Sequence, residues 1–210
     1  MSDNTKAEIR TLPEGRLINE SLFKKDQYNE KATPSYKVEV AFDWEHEEQI
    51  VDWMLEAAVA KWGEGIADSD ELHLPILDGD KLKAKREKKG KSGDAYEDKM
   101  VIRANTIYNA DGVDGDGGIQ VYDENKDAVE AVNRKEIYSG SHGRMAVTFG
   151  TYEGEDRDGN TFPAITAYLV AWQKTGDGEK LVQSADRSTL FEKVGKVSDD
   201  APRSRRTRRG

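Results

Sequence analysis

Aromatic and basic side chains share one face of several extended segments of the sequence. In Met100–Tyr108, Arg144–Tyr152 and Ala164–Lys174, apolar residues alternate with other residues, so one face of each segment is predicted to point away from the core. Nucleobases stack on exposed aromatic rings, and cations pair with phosphates, when proteins bind single-stranded nucleic acid. The alternative is that some of these rings pack beneath a loop or a helix. The alternation predicts a binding face that contains Arg103, Arg144, Tyr152, Tyr168, Trp172 and Lys174.

A loop rich in aspartate and glycine is the candidate metal site. Asp111, Asp114 and Asp116 lie within Asp111–Gly118 and could offer carboxylate oxygens to a divalent cation. The bidentate glutamate expected at the twelfth position of an EF-hand loop is missing, and no helical pattern flanks the segment. Asp-Gly and Gly-Gly pairs are common in turns. We therefore predict a turn without a metal, and a magnesium-dependent nuclease that uses these carboxylates stays an alternative.

The histidines and serines do not have the spacing of a catalytic site. His142 follows Ser139 and Ser141 on one glycine-rich stretch, which is not a triad arrangement, and the strand–turn–helix nucleophile elbow is missing. His46 and His73 have no histidine partner at helical i, i+4 spacing. The sequence has no phosphate-binding loop and no dinucleotide fingerprint. It therefore predicts a protein that is not an enzyme and that needs no cofactor.

Charge is unevenly distributed along the 210 residues. The chain has 32 Lys and Arg against 41 Asp and Glu, which gives a net charge of −9. Lys81–Lys91 carries +6 and Arg203–Gly210 carries +5, so the rest of the chain carries −20. Because local clusters set the local potential, both basic segments are candidate phosphate contacts.

The composition excludes several classes of protein. The chain has no cysteine, which excludes a disulfide framework, Cys-ligated zinc, iron–sulfur clusters and thiol nucleophiles. No apolar run approaches the roughly 20 residues of a membrane helix, and the first residues lack an apolar secretory core. We expect a soluble, cytoplasmic protein.

Two hydrophobic periods indicate the elements that position the candidate side chains. Tyr36–Phe42 alternates with a period of two, which is typical of a half-buried strand, and Glu45–Trp62 has the wide apolar face of a helix. With Gly15–Leu22, Ile119–Tyr122 and the three segments above, the sequence predicts about six strands and one strong helix. Lys81–Asp98 lacks a sustained apolar period and is predicted to be a long mobile loop. These elements predict a mainly β protein, a small antiparallel barrel or sheet with a capping helix.

Several short motifs occur in a characteristic order. They are Gly15-Arg-Leu, Pro34-Ser-Tyr-Lys-Val-Glu-Val40, a helix that ends in Lys61-Trp-Gly63, Leu74-Pro-Ile-Leu-Asp-Gly-Asp80, Tyr138-Ser-Gly-Ser-His-Gly-Arg144 and Trp172-Gln-Lys174. In this order the chain resembles a family of phage single-stranded-DNA-binding proteins with an OB fold. The resemblance covers roughly residues 15–195.

The resemblance implies an OB-fold-like barrel that binds single-stranded DNA without sequence preference in phage DNA replication or recombination, in the cytoplasm of the infected host. The domain would span residues 15–195, between a flexible N-terminus (1–14) and a disordered Arg-rich tail (196–210). Many single-stranded-DNA-binding proteins end in an acidic tail that recruits partners, whereas this chain ends in RSRRTRRG. Recruitment by an acidic tail is therefore in doubt, and a tail that contacts DNA is the competing idea.

The strand faces and the basic segment together give the predicted DNA contacts. In the predicted mechanism, rings serve as stacking platforms and the 81–91 segment folds over the strand. Other replication or recombination proteins and a second copy of the chain are further candidate partners, and no membrane is expected. The alternative is an acidic protein-interaction module of a phage replication complex without direct DNA binding. The predicted contacts are Arg16, Lys37, Lys83, Lys85, Arg86, Lys88, Lys89, Arg103, Tyr138, Arg144, Tyr152, Tyr168, Trp172 and Lys174.

Overall fold

The computed structural model describes residues 8–27, 29, 30, 32–156 and 158–181, in which we find eight strands and two α-helices. Four short 3-10 turns, at Trp44–His46, Glu64–Ile66, Asp94–Tyr96 and Ala131–Glu136, complete the regular structure of this part of the chain. The elements are β1 (Ile9–Thr11), β2 (Gly15–Asp26), β3 (Ser35–Phe42), α1 (Glu47–Trp62), β4 (Ile76–Asp78), α2 (Gly79–Glu87), β5 (Met100–Thr106), β6 (Gln120–Tyr122), β7 (His142–Glu155) and β8 (Thr161–Gly176).

Five of the strands form a closed ring in the order β2, β3, β5, β8, β7 and back to β2. Four of these pairings are antiparallel, and β5 and β8 are parallel. Outside the ring, β1 pairs with β7, β4 with β5, and β6 with β8. The predicted mainly β architecture with one main helix is confirmed. A ring gives each strand an inner face for the core and an outer face that can meet solvent or a ligand.

The inner face of β3 shows how the sequence builds the core. Tyr36, Val38, Val40 and Phe42 are all buried, as their alternation predicts. The helix α1 adds Ile50, Met54 and Ala58 to the same core. It ends at Gly63, whose φ of 87° favours glycine and whose N–H donates to the carbonyl of Val59 at 2.8 Å.

The prediction of a mobile loop over residues 81–98 is wrong. Residues Gly79–Glu87 form α2, and Asp94–Tyr96 forms a 3-10 turn. The side chain of Asp78 caps α2 by accepting from the backbone N–H of Lys81 at 3.1 Å. Leu82 then packs on a second hydrophobic cluster on the outer face of the ring, formed by Ile18, Ala41, Tyr96 and Val101. One packed leucine leaves no periodic pattern in the sequence, so the tertiary contact decides the helix.

The prediction of a flexible segment up to residue 14 is also wrong in part. Ile9–Thr11 pairs with β7 as β1, and Leu12 is buried in the main core. The strand β2 also continues to Asp26, beyond the predicted end at Leu22. The predicted domain end at residue 195 and the Arg-rich tail 196–210 lie outside the described residues.

A β-bulge in β8 reverses the predicted faces of its second half. Ala171 pairs with Ala146, but the next residue of β7, Val147, pairs with Leu169, so Val170 is an extra residue in β8. An extra residue shifts the period-two alternation by one position. The predicted exposure of Trp172 and Lys174 is therefore wrong: the Trp172 side chain is completely buried (0% exposed), and Lys174 is almost completely buried.

Candidate nucleic-acid interface

A row of side chains crosses four strands on the outer face of the ring. Lys37 of β3 lies opposite Asn105 of β5, Asn105 lies beside Tyr168 of β8, and Tyr168 lies opposite Thr148 of β7. Directly paired residues on neighbouring strands point to the same face of a sheet. We call Lys37, Asn105, Tyr168 and Thr148 the cross-strand row. It brings a cation, an amide and an aromatic ring together on one face.

Tyr168 is the member of the cross-strand row that carries an aromatic ring. Its side chain is 46% exposed. A Cβ atom added at Gly150 would lie 2.4 Å from a ring carbon of Tyr168, so the ring lies against the backbone at Gly150. A larger residue at this position would displace the ring. One edge of the ring therefore lies against Gly150, and the exposed part of the ring is available to a planar ligand.

A groove opens beside Tyr168 where β8 changes its neighbour. On this side, β8 pairs with β5 at Ala167 and Tyr168 and then with β6 from Ala171 onward, which leaves Leu169 and Val170 between the two pairings. A cavity of about 650 Å³ fills this gap, within the range of small-molecule sites. We call it the β5–β8 groove. Its lining comprises residues 105–110, Gly112, Thr148 and residues 168–170.

Sequence reasoning did not single out Tyr108 and Val170, and both are exposed and line the groove. Alternation in the predicted strand Met100–Tyr108 would place Tyr108 with the inward residues. The strand β5 instead ends at Thr106, so the alternation does not apply to Tyr108. The sequence signal that could have indicated Tyr108 was its position as an aromatic residue just before a glycine-rich turn.

The Asp- and Gly-rich loop forms one wall beside the groove. The side-chain oxygen of Asn109 accepts from the backbone N–H groups of Asp111 and Val113, and its amide nitrogen donates to the carbonyl of Asp116. The hydroxyl of Tyr36, from β3, donates to the carbonyl of Gly115 and accepts from the N–H of Gly118. These bonds hold the turn together and tie it to β3.

The three loop aspartates do not converge on one point. The carboxylate of Asp114 pairs with the ammonium of Lys25, 2.5 Å away. Within the described part of the chain, no cluster of three or more His, Cys, Asp or Glu side chains could hold a metal ion. The loop therefore gives the nuclease alternative no support.

Two arginines next to the cross-strand row are linked through Glu39 and Tyr96. The carboxylate of Glu39 accepts from the Nε of Arg103, the residue opposite it on β5, and also from the hydroxyl of Tyr96. Burial, followed by the hydrogen bond to Glu39, raises the pKa of Tyr96, so its hydroxyl keeps its proton. The guanidinium of Arg86 lies over the Tyr96 ring, 5.3 Å from its centroid.

The basic residues of α2, together with Lys88 and Lys89 just after it, divide into those with an ion-pair partner among the described residues and those without one. Lys81 pairs with Asp78 at 3.3 Å, and Lys83 pairs with Glu97 at 3.1 Å, which raises the pKa of Lys83. Lys85, Lys88 and Lys89 are exposed, and no ion-pair partner for them lies within the described residues. Since α2 packs over Ala41 and Val101, next to the Glu39–Arg103 pair, its cations border the same outer face.

Tyr138 and Lys174, two predicted contacts, instead hold the segment that follows β8. The ammonium of Lys174 pairs with Asp177 at 2.8 Å and Glu124 at 3.2 Å. The hydroxyl of Tyr138 donates to Asp177 at 2.9 Å. Lys174 and Tyr138 together hold the pKa of Asp177 below its ordinary value. Arg16 adds a hydrogen bond from its Nη2 to the carbonyl of Glu179 at 3.1 Å. These contacts anchor the chain, and they leave Lys174 little freedom to meet a ligand.

The remaining predicted contacts are on the surface. Lys37 is in an ion pair with Asp26. Arg144 and Tyr152 are exposed on the outer side of β7, where Arg144 lies opposite Gln173 and Tyr152 lies opposite Ala164. The structure thus brings Lys37, Arg103 and Tyr168 together, with α2 beside them. Arg144 and Tyr152 lie at other positions along the same outer side of the ring.

The sequence matches the model of a known family over residues 11–202, nearly its whole length. That family is described as the single-stranded-DNA-binding protein of Enterobacter phage Enc34. The chain belongs to this family. It is a family of DNA-binding proteins and not of enzymes. No curated protein sequence matches the chain.

Solved structures of the Enc34 phage protein share the fold of this family member. The Enc34 protein in complex with single-stranded DNA aligns with a TM-score of 0.58 and 18% identity, over 82% of this chain and 88% of that chain. A second structure of the Enc34 protein aligns with a TM-score of 0.55 and 17% identity, over 88% of this chain and 90% of that chain. The expected OB-like fold is confirmed by these matches. Among the described residues of this family member, no helix is long and apolar enough to cross a membrane.

Proposed function

We propose that this protein binds single-stranded DNA without sequence preference through the cross-strand row and the β5–β8 groove. The observation that carries the proposal is the exposed Tyr168 ring, backed by Gly150 and bordered by Asn105. In OB folds the second and third barrel strands, here β3 and β5, and the neighbouring loops bind oligonucleotides. The Enc34 relative, which has been seen in complex with single-stranded DNA, supports the same ligand.

Stacking and charge have separate places in this mechanism. Bases stack on Tyr168 and Tyr108 at the groove, each stack contributing about 1–3 kcal/mol. Phosphates pair with Arg103 beside the row, with the exposed Lys85 of α2, and with Lys88 and Lys89 just after that helix. Lys37 is available as well, because an exposed ion pair such as its pair with Asp26 is worth only about 0–1 kcal/mol and can be exchanged for a phosphate.

The same features favour single strands over duplex. A stack on Tyr168 requires an unpaired base whose face is free, and in a duplex that face is covered by the neighbouring base pairs. Apart from its two basic segments the chain carries −20, which repels DNA elsewhere and restricts it to the basic face. We propose that this activity serves phage DNA replication or recombination in the cytoplasm of the infected host. Homodimer formation and contacts with other replication proteins stay predictions.

A surface on α1 favours a second candidate function, a protein-interaction module. Trp44 is exposed just before the helix, and several acidic side chains around it are also exposed. A ring surrounded by acids suits a basic protein partner better than DNA, because like charges repel phosphates. These acids are Asp43, Glu45, Glu47, Glu48 and Asp52.

The test is a titration of fluorescently labelled dT oligonucleotide and of a matched duplex at about 50 mM and about 200 mM salt. We expect binding of the single strand, weaker at the higher salt, and much weaker binding of the duplex. Tyr168→Ala should weaken single-strand binding, whereas Trp44→Ala, which removes an exposed ring outside the interface, should not. No binding to either DNA at the lower salt would overturn the proposal and favour the interaction module.

A further inference from the structure

Glu39 is the one acidic residue in the two strands that form the centre of the interface, β3 and β5. It lies between Lys37 and the part of β3 that α2 covers, and it faces Arg103. If only its charge mattered, Glu39 would repel phosphates and weaken DNA binding. Its contacts indicate a different role.

The carboxylate of Glu39 holds Arg103 by one nitrogen only. Glu39 is only 12% exposed, whereas the Arg103 side chain is 54% exposed. Glu39 accepts from the Nε of Arg103, and no other partner of Arg103 lies within the described residues. The two Nη groups are the fork that binds a phosphate through two parallel hydrogen bonds. The contact to Nε therefore fixes the guanidinium and leaves its phosphate-binding edge free.

Tyr96 fixes Glu39 in turn. Its ring is buried in the second hydrophobic cluster, and its hydroxyl donates to the second carboxylate oxygen of Glu39. Arg86, which lies over the same ring, is also held through its Nε, which donates to the carbonyl of Ser92 at 2.9 Å. Two arginines are thus held by their Nε atoms around one Tyr96–Glu39 pair.

We propose that Glu39 is a positioning residue for DNA binding: with Tyr96 it orients Arg103 toward a phosphate, so that this acid strengthens affinity for DNA. The proposal rests on the proposed function. A long side chain that is already ordered loses less conformational entropy when it binds. The nearby Asp26–Lys37 pair gives the contrast, because a lysine ammonium is a rotatable point charge that needs no orientation. Asp26 should therefore only compete with phosphate.

The experiment compares the affinity for dT oligonucleotide, per folded molecule, of the wild-type chain with Glu39→Ala, Glu39→Gln and Asp26→Asn. We expect Glu39→Ala to weaken binding by about two- to tenfold, the cost of ordering one long side chain. Glu39→Gln keeps an acceptor for Nε and should weaken binding less. Asp26→Asn should not weaken binding and should strengthen it by up to about fivefold, the range of an exposed ion pair.

A comparison in the Arg103→Gln variant separates a positioning role of Glu39 from a structural effect of its loss. In Arg103→Gln, the slope of log K against log salt should fall by about 0.7, because one phosphate contact on a single strand is lost. When Glu39→Ala is added to Arg103→Gln, it should no longer weaken binding. Urea denaturation of each variant gives the folded fraction. Tighter binding by both Glu39 variants, or the same loss in the Arg103→Gln background, would overturn the inference while the proposed function stands. If the wild-type chain binds no oligonucleotide, the proposed function fails, and the inference falls with it.

Discussion

Trp172 and Tyr168 lie four positions apart on β8, yet the bulge at Val170 gives them opposite roles. The Trp172 side chain is completely buried, and a Cβ atom at Gly143 would lie 2.2 Å from its indole ring. Truncation of a buried tryptophan to alanine costs about 3–5 kcal/mol through lost burial and the cavity left behind. Trp172→Ala should therefore lower the free energy of unfolding by about that amount and leave the DNA affinity of the folded molecules unchanged.

Tyr168→Ala should give the opposite pattern. Because nearly half of this side chain is exposed, its loss should change the free energy of unfolding by about 1 kcal/mol or less. The lost base stack, about 1–3 kcal/mol, should raise the Kd for dT oligonucleotide by about 5- to 150-fold.

Urea denaturation and oligonucleotide titration of the same two samples measure both quantities. Trp172→Phe is the matched control, because it keeps an aromatic ring in the core and should destabilise the fold less than Trp172→Ala. The bulge would be refuted as the cause of these roles if Trp172→Ala stayed as stable as the wild type and bound DNA more weakly. Weak binding by both variants at unchanged stability would likewise contradict the assignment of Trp172 to the core.

Three further results are expected. Gly150→Ala should weaken DNA binding although it removes no ring, because its new Cβ would displace Tyr168; a crystal structure or an oligonucleotide titration of the variant would check this. Asp177 has a pKa held low by Lys174 and so stabilises the fold above its unfolded pKa of about 3.9, an effect that is lost as pH falls further. Denaturation at about pH 6 and about pH 3 should then show a smaller loss of stability for Asp177→Asn than for the wild type; an equal loss would contradict this role. Neutralising Lys85 of α2 together with Lys88 and Lys89 just after it should lower the slope of log K against log salt by about 2, and an unchanged slope would show that these lysines do not contact phosphates.

Alternation along the chain was enough to predict most of the strands and the main helix. Tyr36–Phe42 and Glu45–Trp62 became β3 and α1 with ends shifted by at most two residues. Both segments bury a continuous apolar face, so the same periodic signal appears in the sequence and in the core. Tyr168 was placed correctly on the outer face because it precedes the bulge, and Arg103 because β5 is regular as far as Thr106.

Local composition misled where a few long-range contacts outweigh it. The charged segment after Gly79 has too few apolar residues for a helical signal, yet α2 forms because Asp78 caps it and Leu82 finds the cluster around Tyr96. The Glu39–Arg103 contact joins residues 64 positions apart, and no spacing pattern in the sequence predicts it.

The sequence by itself determined a mainly β chain with one strong helix, and two basic segments in an otherwise acidic chain. It also determined the set of aromatic and basic side chains that were candidates for a binding face. Only the tertiary structure decided which of those side chains face solvent. A single extra residue at Val170 shifts the period of β8 and buries Trp172, while the change of neighbour from β5 to β6 opens the groove beside Tyr168. The physical reason is that register is fixed by pairing between distant strands, and a shift of one residue exchanges the two faces of a strand.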